Sequence, residues 1–132
     1  MHEPSYKRNI AQSLASSETY AETPLSLLIN PCASTGHEHA YERTFPVING
    51  TVVSRTTDKP QAPINLVLGM GGADNSYMSG WIEPPPPWIA HREMTFGHGR
   101  ITITSATDLH FEYVAVDGAL HDEFYLTRAQ RL

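Results

Sequence analysis

Two histidines separated by one residue, behind a glycine, are the side chains of this sequence best suited to metal chemistry. They are His37 and His39, within residues 36–44. In an extended segment successive side chains alternate between faces, so both imidazoles point the same way and can bind one metal or two adjacent metals. Neutral imidazole is the commonest protein ligand of transition metals, and its second nitrogen needs a partner, for which Glu42 is a candidate. The spacing predicts a metal-binding edge at a strand end.

The alternative is a chance pair, because the chain has seven histidines. A single His-x-His spacing is a weak motif by itself. Apart from His2, the other histidines are His91, His98, His110 and His121. We interpret these four as exposed or packed structural residues without a metal role.

Size, charge and cysteine content exclude several classes of function for this chain. A chain of 132 residues predicts one domain. The net charge is −5 and no basic cluster is present, so we expect neither nucleic acid nor an anionic membrane as a partner. The polar start of the chain carries no export signal, and no apolar run reaches about 20 residues. Cys32 is the only cysteine, which excludes an internal disulfide and favours a small packed side chain.

The first two thirds of the chain contain short elements between loops. Residues 1–24 are polar, with a helix predicted at 9–21, and residues 73–93 form a long Pro-rich loop between other elements. Residues 51–54 predict a short strand, and residues 64–68 predict a strand that is buried on both faces. The glycine-rich segment 69–72 predicts a tight turn, since no phosphate-binding motif follows it.

The last third alternates between apolar and polar residues. Segments 100–104, 110–116 and 123–127 predict three strands of an antiparallel meander, with a hairpin turn at Asp117-Gly118. We interpret Asp74, Asp108 and Asp122 as turn or cap residues. Asn49-Gly50-Thr51 is a sequon in a predicted turn, so Asn49 is a candidate glycosylation site.

The residues around the histidine pair resemble a known family. The segment Gly-His-Glu-His-Ala-Tyr-Glu-Arg-Thr at 36–44 resembles the last metal-binding motif of the purple acid phosphatases, which are calcineurin-like metallophosphoesterases. Residues 62–72 resemble the next core strand and glycine turn of that family. Residues 92–100 resemble its Arg-Glu and Phe-Gly-x-Gly stretch, and residues 1–6 resemble its Met-His-x-Pro-x-Tyr segment. The resemblance spans nearly the whole chain in the family's order.

The resemblance implies a fold and a site. The fold is α+β and β-rich, the C-terminal half of the metallophosphoesterase αββα sandwich ending in an antiparallel meander, with residues 1–132 as a single partial domain. His2 and His37 bind the divalent ion, which is Zn, Mn or Fe(II), and His39 binds Fe(III). Tyr41 and Arg43 serve packing and support, and no catalytic residue is assigned. Such a pair of metals activates hydroxide for attack on a phosphomonoester.

The family's Asp-x-Gly, Gly-Asp-x-x-Tyr and Gly-Asn-His motifs do not occur in this sequence. We therefore expect the chain alone to be inactive as a phosphatase and to require those missing groups. One alternative is a non-catalytic β-rich binding or structural module derived from that fold. Another is a mononuclear zinc hydrolase that uses His2, His37 and His39, with water as the fourth ligand.

The resemblance also implies secretion or a vacuolar location. The apolar face that half a sandwich would expose predicts self-association.

Overall fold

The computed structural model describes residues 32–36, 38–72 and 81–128. Across these residues the chain forms nine strands and no helix. They are β1 (Cys32–Thr35), β2 (Tyr41–Thr44), β3 (Val47–Ile48), β4 (Thr51–Val52), β5 (Ile64–Leu68), β6 (Ile89–Glu93), β7 (Gly97–Ile103), β8 (Asp108–Ala115) and β9 (Leu120–Thr127). The lead-in at 1–24 with its predicted helix, His2, His37 and Asp74 lie outside the described residues.

The strands form two larger sheets and one small hairpin. The first sheet is mixed, in the order β1-β5-β2-β6, with β5 parallel to β1 and antiparallel to β2. The second is the antiparallel meander β7-β8-β9, which confirms the architecture expected of the C-terminal third. The hairpin β3-β4 turns at Asn49 and Gly50, whose φ angles of 48° and 72° match the type I′ turn that Asn-Gly favours.

One hydrophobic core joins the four-stranded sheet to the meander. It contains aromatic and aliphatic side chains from both sheets, all at most 6% exposed: Tyr41, Ile64, Leu66, Met70, Phe111, Tyr113, Phe124 and Leu126. The prediction for residues 64–68 is confirmed, because adjacent residues Leu66 and Val67, which point to opposite faces of β5, are 0% and 2% exposed. A strand buried on both faces cannot alternate in hydrophobicity, which explains its continuous apolar run.

Two parts of the chain differ from the sequence-based expectation. The predicted loop 73–93 ends earlier, because its last five residues form β6 and pair with β2. All five are partly buried, so their sequence shows no clear alternation that would indicate a strand. Residues 32–35, for which no strand was predicted, form β1, since main-chain pairing with β5 supplies the strand geometry.

The meander also carries apolar side chains at its surface. Ile101 and Ile103 lie on edge strand β7 opposite Phe111 and Leu109 of β8, yet they are 54% and 77% exposed. The apolar face of the meander therefore extends beyond the packed core. Within the described residues, no helix is long and apolar enough to cross a membrane.

Candidate metal-binding edge

The histidine segment crosses the end of the most buried strand. β1 and β5 run parallel, so their carboxyl ends lie at the same edge of the sheet, and antiparallel β2 begins there. Residues 36–40 connect β1 to β2 although β5 lies between them. This connection therefore passes over the carboxyl end of β5 and carries His39, which is partly buried. Loops at the carboxyl ends of parallel strands are a frequent place for ligand sites.

A glycine allows the crossing segment to lie close to the end of β5. Gly69 follows β5 directly, and its amide donates a hydrogen bond of 3.0 Å to the carbonyl of Ala40. A Cβ placed on Gly69 would lie 1.7 Å from the carbonyl oxygen of Glu38 and 3.1 Å from Cα of His39. Only a residue without a side chain permits this approach. Gly69, the first residue of the turn predicted at 69–72, thus has a specific role, which is to let the histidine segment lie against the strand end.

The strand that follows the histidines is held by a buried carboxylate of the other sheet. Asp122 of β9 accepts hydrogen bonds from Arg43 at 2.7 and 2.9 Å and from the Tyr41 hydroxyl at 2.6 Å. The side chains of Arg43 and Asp122 are only 15% and 9% exposed. Two-pronged contact between guanidinium and carboxylate fixes orientation as well as distance. The supporting role expected for Tyr41 and Arg43 is consistent with these contacts.

Aromatic stacking adds a second contact between the sheets. The rings of Tyr41 and Tyr113 are parallel within 5°, with centroids 3.9 Å apart. The Tyr113 hydroxyl donates to the carbonyl oxygen of Thr95 at 2.8 Å, so its polar end is satisfied although the ring is buried. β2 is therefore fixed to the meander by the ion pair to Asp122 and by ring stacking.

In this network, burial and the partners of Asp122 shift its pKa in opposite directions. Burial alone raises the pKa of the Asp122 carboxyl, but the hydrogen bonds from Arg43 and Tyr41 outweigh it and hold that pKa below its usual value. Burial, followed by the hydrogen bond to Asp122, raises the pKa of Tyr41 well above its ordinary value. The network therefore consists of a neutral phenol, a carboxylate and a guanidinium at neutral pH.

Glu42 lies on the opposite face of β2 from Tyr41 and Arg43, next to Arg92 of β6 in the strand register. Burial raises the pKa of its carboxyl to about 7, while Arg92 acts in the opposite direction and Glu38 adds to the increase. A carboxyl of this kind can exchange a proton near neutral pH. Its role as a partner of a metal-binding imidazole stays a prediction.

The described residues contain one of the three predicted metal ligands. That ligand is His39, and His2 and His37 lie outside the described part of the chain. Within that part, no group of three or more His, Cys, Asp or Glu side chains could hold a metal ion. The described residues therefore do not fit a complete dinuclear centre, and no step of catalysis follows from them.

Sequence reasoning missed the most connected polar residue of the site. The interpretation of Asp122 as a turn or cap residue is wrong, because it lies within β9 and binds two side chains of β2. A signal for this was present in the sequence. Alternation places Asp122 on the same face as Phe124 and Leu126, and a carboxylate on an apolar face needs a buried partner. Asp108 does lie at a turn, where it accepts hydrogen bonds from Ser105 and Thr107.

Comparison with known proteins identifies what the chain is similar to. Residues 62–123 match the family described as iron/zinc purple acid phosphatase-like protein C. Purple acid phosphatase 18 of Arabidopsis thaliana is 33% identical over 108 residues, which cover 80% of this chain and 23% of that protein. Fe(3+)-Zn(2+) purple acid phosphatase 12 of the same plant is 32% identical over 85 residues, covering 59% of this chain and 18% of that protein.

A solved structure gives the same result. The purple acid phosphatase PPD1 from yellow lupin seeds aligns with a TM-score of 0.66 and 27% identity, over 74% of this chain and 17% of that one. The chain thus spans about a fifth of the length of the relatives that it matches.

Proposed function

Since the chain is a homologue of the C-terminal portion of the purple acid phosphatases, we propose that it supplies the histidine edge of a dinuclear phosphomonoesterase centre. In this proposal His39 binds the ferric ion, and His37 and His2 bind the divalent ion. The carboxylate, tyrosine and asparagine ligands come from motifs that this sequence lacks. The chain alone is then a structural part of a phosphatase and does not turn over substrate.

The observation that carries this proposal is the crossing of residues 36–40 over the carboxyl end of β5. It puts the backbone of His39 at the end of a rigid, fully packed strand, with Gly69 beneath it and Asp122 anchoring the next strand. Metal sites need ligands that are held by their surroundings before the metal arrives. The name of one relative includes Fe(3+) and Zn(2+), which supports these ions as the metals of the intact centre.

The alternative is a non-catalytic module that keeps the fold without the metal. Exposed Ile101 and Ile103 support the expectation that such a module self-associates. The two proposals differ in one measurable property, which is zinc binding through the histidine segment.

We expect the purified chain to bind zinc through the histidine segment but not to hydrolyse p-nitrophenyl phosphate. His37→Ala should weaken zinc binding at least about tenfold, because it removes one of the two imidazoles proposed for the divalent ion. The matched control is His98→Ala, since His98 is exposed and has no proposed metal role. Calorimetric titration with zinc measures the affinity, and circular dichroism checks that each variant is folded.

Two outcomes would contradict the proposal. Zinc binding that is absent, or unchanged in His37→Ala, would favour the non-catalytic module. Metal-dependent turnover by the chain alone, lost in His37→Ala and His39→Ala, would show that the missing motifs are dispensable.

We also propose that Asn49 accepts a glycan when the chain passes through a secretory pathway. Asn49 is exposed and occupies the tip of the β3-β4 hairpin, where a transferase can reach it. Secretion from a eukaryotic host should give a glycosylated form whose mass falls on endoglycosidase treatment. Asn49→Asp should have a single unglycosylated mass, whereas a wild-type chain with that same mass would refute the assignment.

A further inference from the structure

A carboxylate lies between two imidazoles where the two sheets meet. Glu93 ends β6, and its Oε2 lies 2.8 Å from Nδ1 of His121 on β9. Its other oxygen, Oε1, lies 3.4 Å from Nε2 of His91, two residues earlier on β6. The Glu93 side chain is only 16% exposed. This contact therefore joins an edge strand of the mixed sheet to an edge strand of the meander.

Two atoms of this cluster are buried without a hydrogen-bond partner. They are Nε2 of His91 and Oε1 of Glu93, which face each other. When His91 is neutral and carries its proton on Nδ1, a nitrogen lone pair faces a carboxylate oxygen, which is unfavourable. A second proton on the ring turns the same pair into a charge-assisted contact. A neutral ring with its proton on Nε2 can also donate to Oε1, so the geometry is suited to an Nε2–H donor, and the contact is strongest when the ring is an imidazolium.

Two further carboxylates lie near the cluster. Asp122 interacts electrostatically with His91, and Asp117 does so with His121. The neighbouring cation is Arg43, and it is paired with Asp122. The neighbouring phenols are Tyr41, whose ring centroid is 5.6 Å from that of His91, and Tyr113, which faces Glu93. Both phenols are neutral below the alkaline range, since burial raises the pKa of each.

We propose that His91, Glu93 and His121 form a proton-operated clamp between β6 and β9. A protonated imidazole holds the Glu93 carboxylate by a charge-assisted contact, and the junction loosens when that proton is lost. The hydrogen bond to Glu93 raises the pKa of His121 above its ordinary value. The stabilisation by His121 is therefore complete below about pH 6.5 and is lost as the pH rises through the higher pKa of the folded state.

Hydrogen exchange measures the clamp directly. Between pH 5.5 and 8, and after correction for intrinsic exchange rates, we expect protection of the amides of residues 91–93 and 120–122 to fall about fivefold to tenfold. Glu93→Gln removes the central charge with little change of shape and should abolish most of this fall. The matched control is His98→Gln, because His98 is an exposed histidine on β7, the strand that follows β6 in the sequence. It should behave as the wild type does.

A second measurement does not depend on stability. An NMR titration of the His121 ring should give a lower pKa in Glu93→Gln than in the wild type. Each variant is compared with the wild type at the same pH, because Glu42, with a pKa of about 7, also makes the fold less stable as the pH rises. Equal pH dependence of protection in wild type and Glu93→Gln, or an unchanged His121 titration, would overturn the proposal.

Discussion

Replacing Gly69 by alanine should destabilise the chain by about 2–3 kcal/mol or more, because the new methyl group has no space. It would lie 1.7 Å from the carbonyl oxygen of Glu38 and 2.6 Å from its carbonyl carbon. Both atoms belong to the backbone, so no side-chain rotation relieves the clash. The crossing segment must move away from β5, and His39 must move with it. The metal affinity of the histidine segment should therefore fall together with stability.

Urea denaturation and zinc titration measure these two effects. The control is Gly71→Ala, since a Cβ on Gly71 meets no atom within 4 Å and its backbone has no positive φ. That substitution should change the free energy of unfolding by less than about 0.5 kcal/mol. Equal stability of the two variants would mean that the histidine segment does not lie against the end of β5.

Asp122→Ala should cost about 3–5 kcal/mol at neutral pH, because it leaves the buried guanidinium of Arg43 without its carboxylate. The Tyr41 hydroxyl loses its acceptor at the same time. The pKa of Asp122 lies below its usual value, so its contribution is present above about pH 4 and is lost as the pH falls through the pKa of the folded state. Wild type and variant should therefore become similar in stability at strongly acidic pH.

The neighbouring residue provides a control for this prediction. Glu123 is on the same strand, is 48% exposed and contacts only His110 among the described ion pairs. Glu123→Ala should cost less than about 1 kcal/mol, as surface pairs usually do. The double variant Arg43→Met with Asp122→Leu should recover part of the loss, because it removes both charges together. A cost for Asp122→Ala no larger than that of Glu123→Ala would contradict the buried network.

Alternation in the sequence predicted β8 and β9 because these strands have one buried and one more exposed face. Phe124 and Leu126 are buried, while Tyr125 between them is 62% exposed. Strand β5 was recognisable for the opposite reason, since both of its faces are covered. β6 was not recognisable, because partial burial of all five residues gives no periodic signal. A strand could thus be predicted from the sequence where its two faces differ clearly in burial, or where both faces are fully buried.

The histidine segment was predicted to lie at a strand end, but the residues that surround it could not be predicted. Local spacing shows that His39 is followed by a strand, yet it does not show that β5, formed by residues 64–68, lies under the crossing. Likewise, Asp122 is 79 residues from Arg43, so no local pattern links them. The candidate ligands were predicted from residues that are neighbours in the sequence, whereas the support of the site depends on pairing between distant segments.

The crossing of residues 36–40 also has a consequence for folding. β1 and β2 are close in sequence, but β5 must insert between them before either completes its pairing. Such non-local pairing requires closure of a long loop and is slow compared with hairpin formation. Until β5 is in place, the segment that carries His39 lacks the support of Gly69 and the end of that strand. The proposed metal-binding edge is therefore expected to form late, after the local hairpins of the meander.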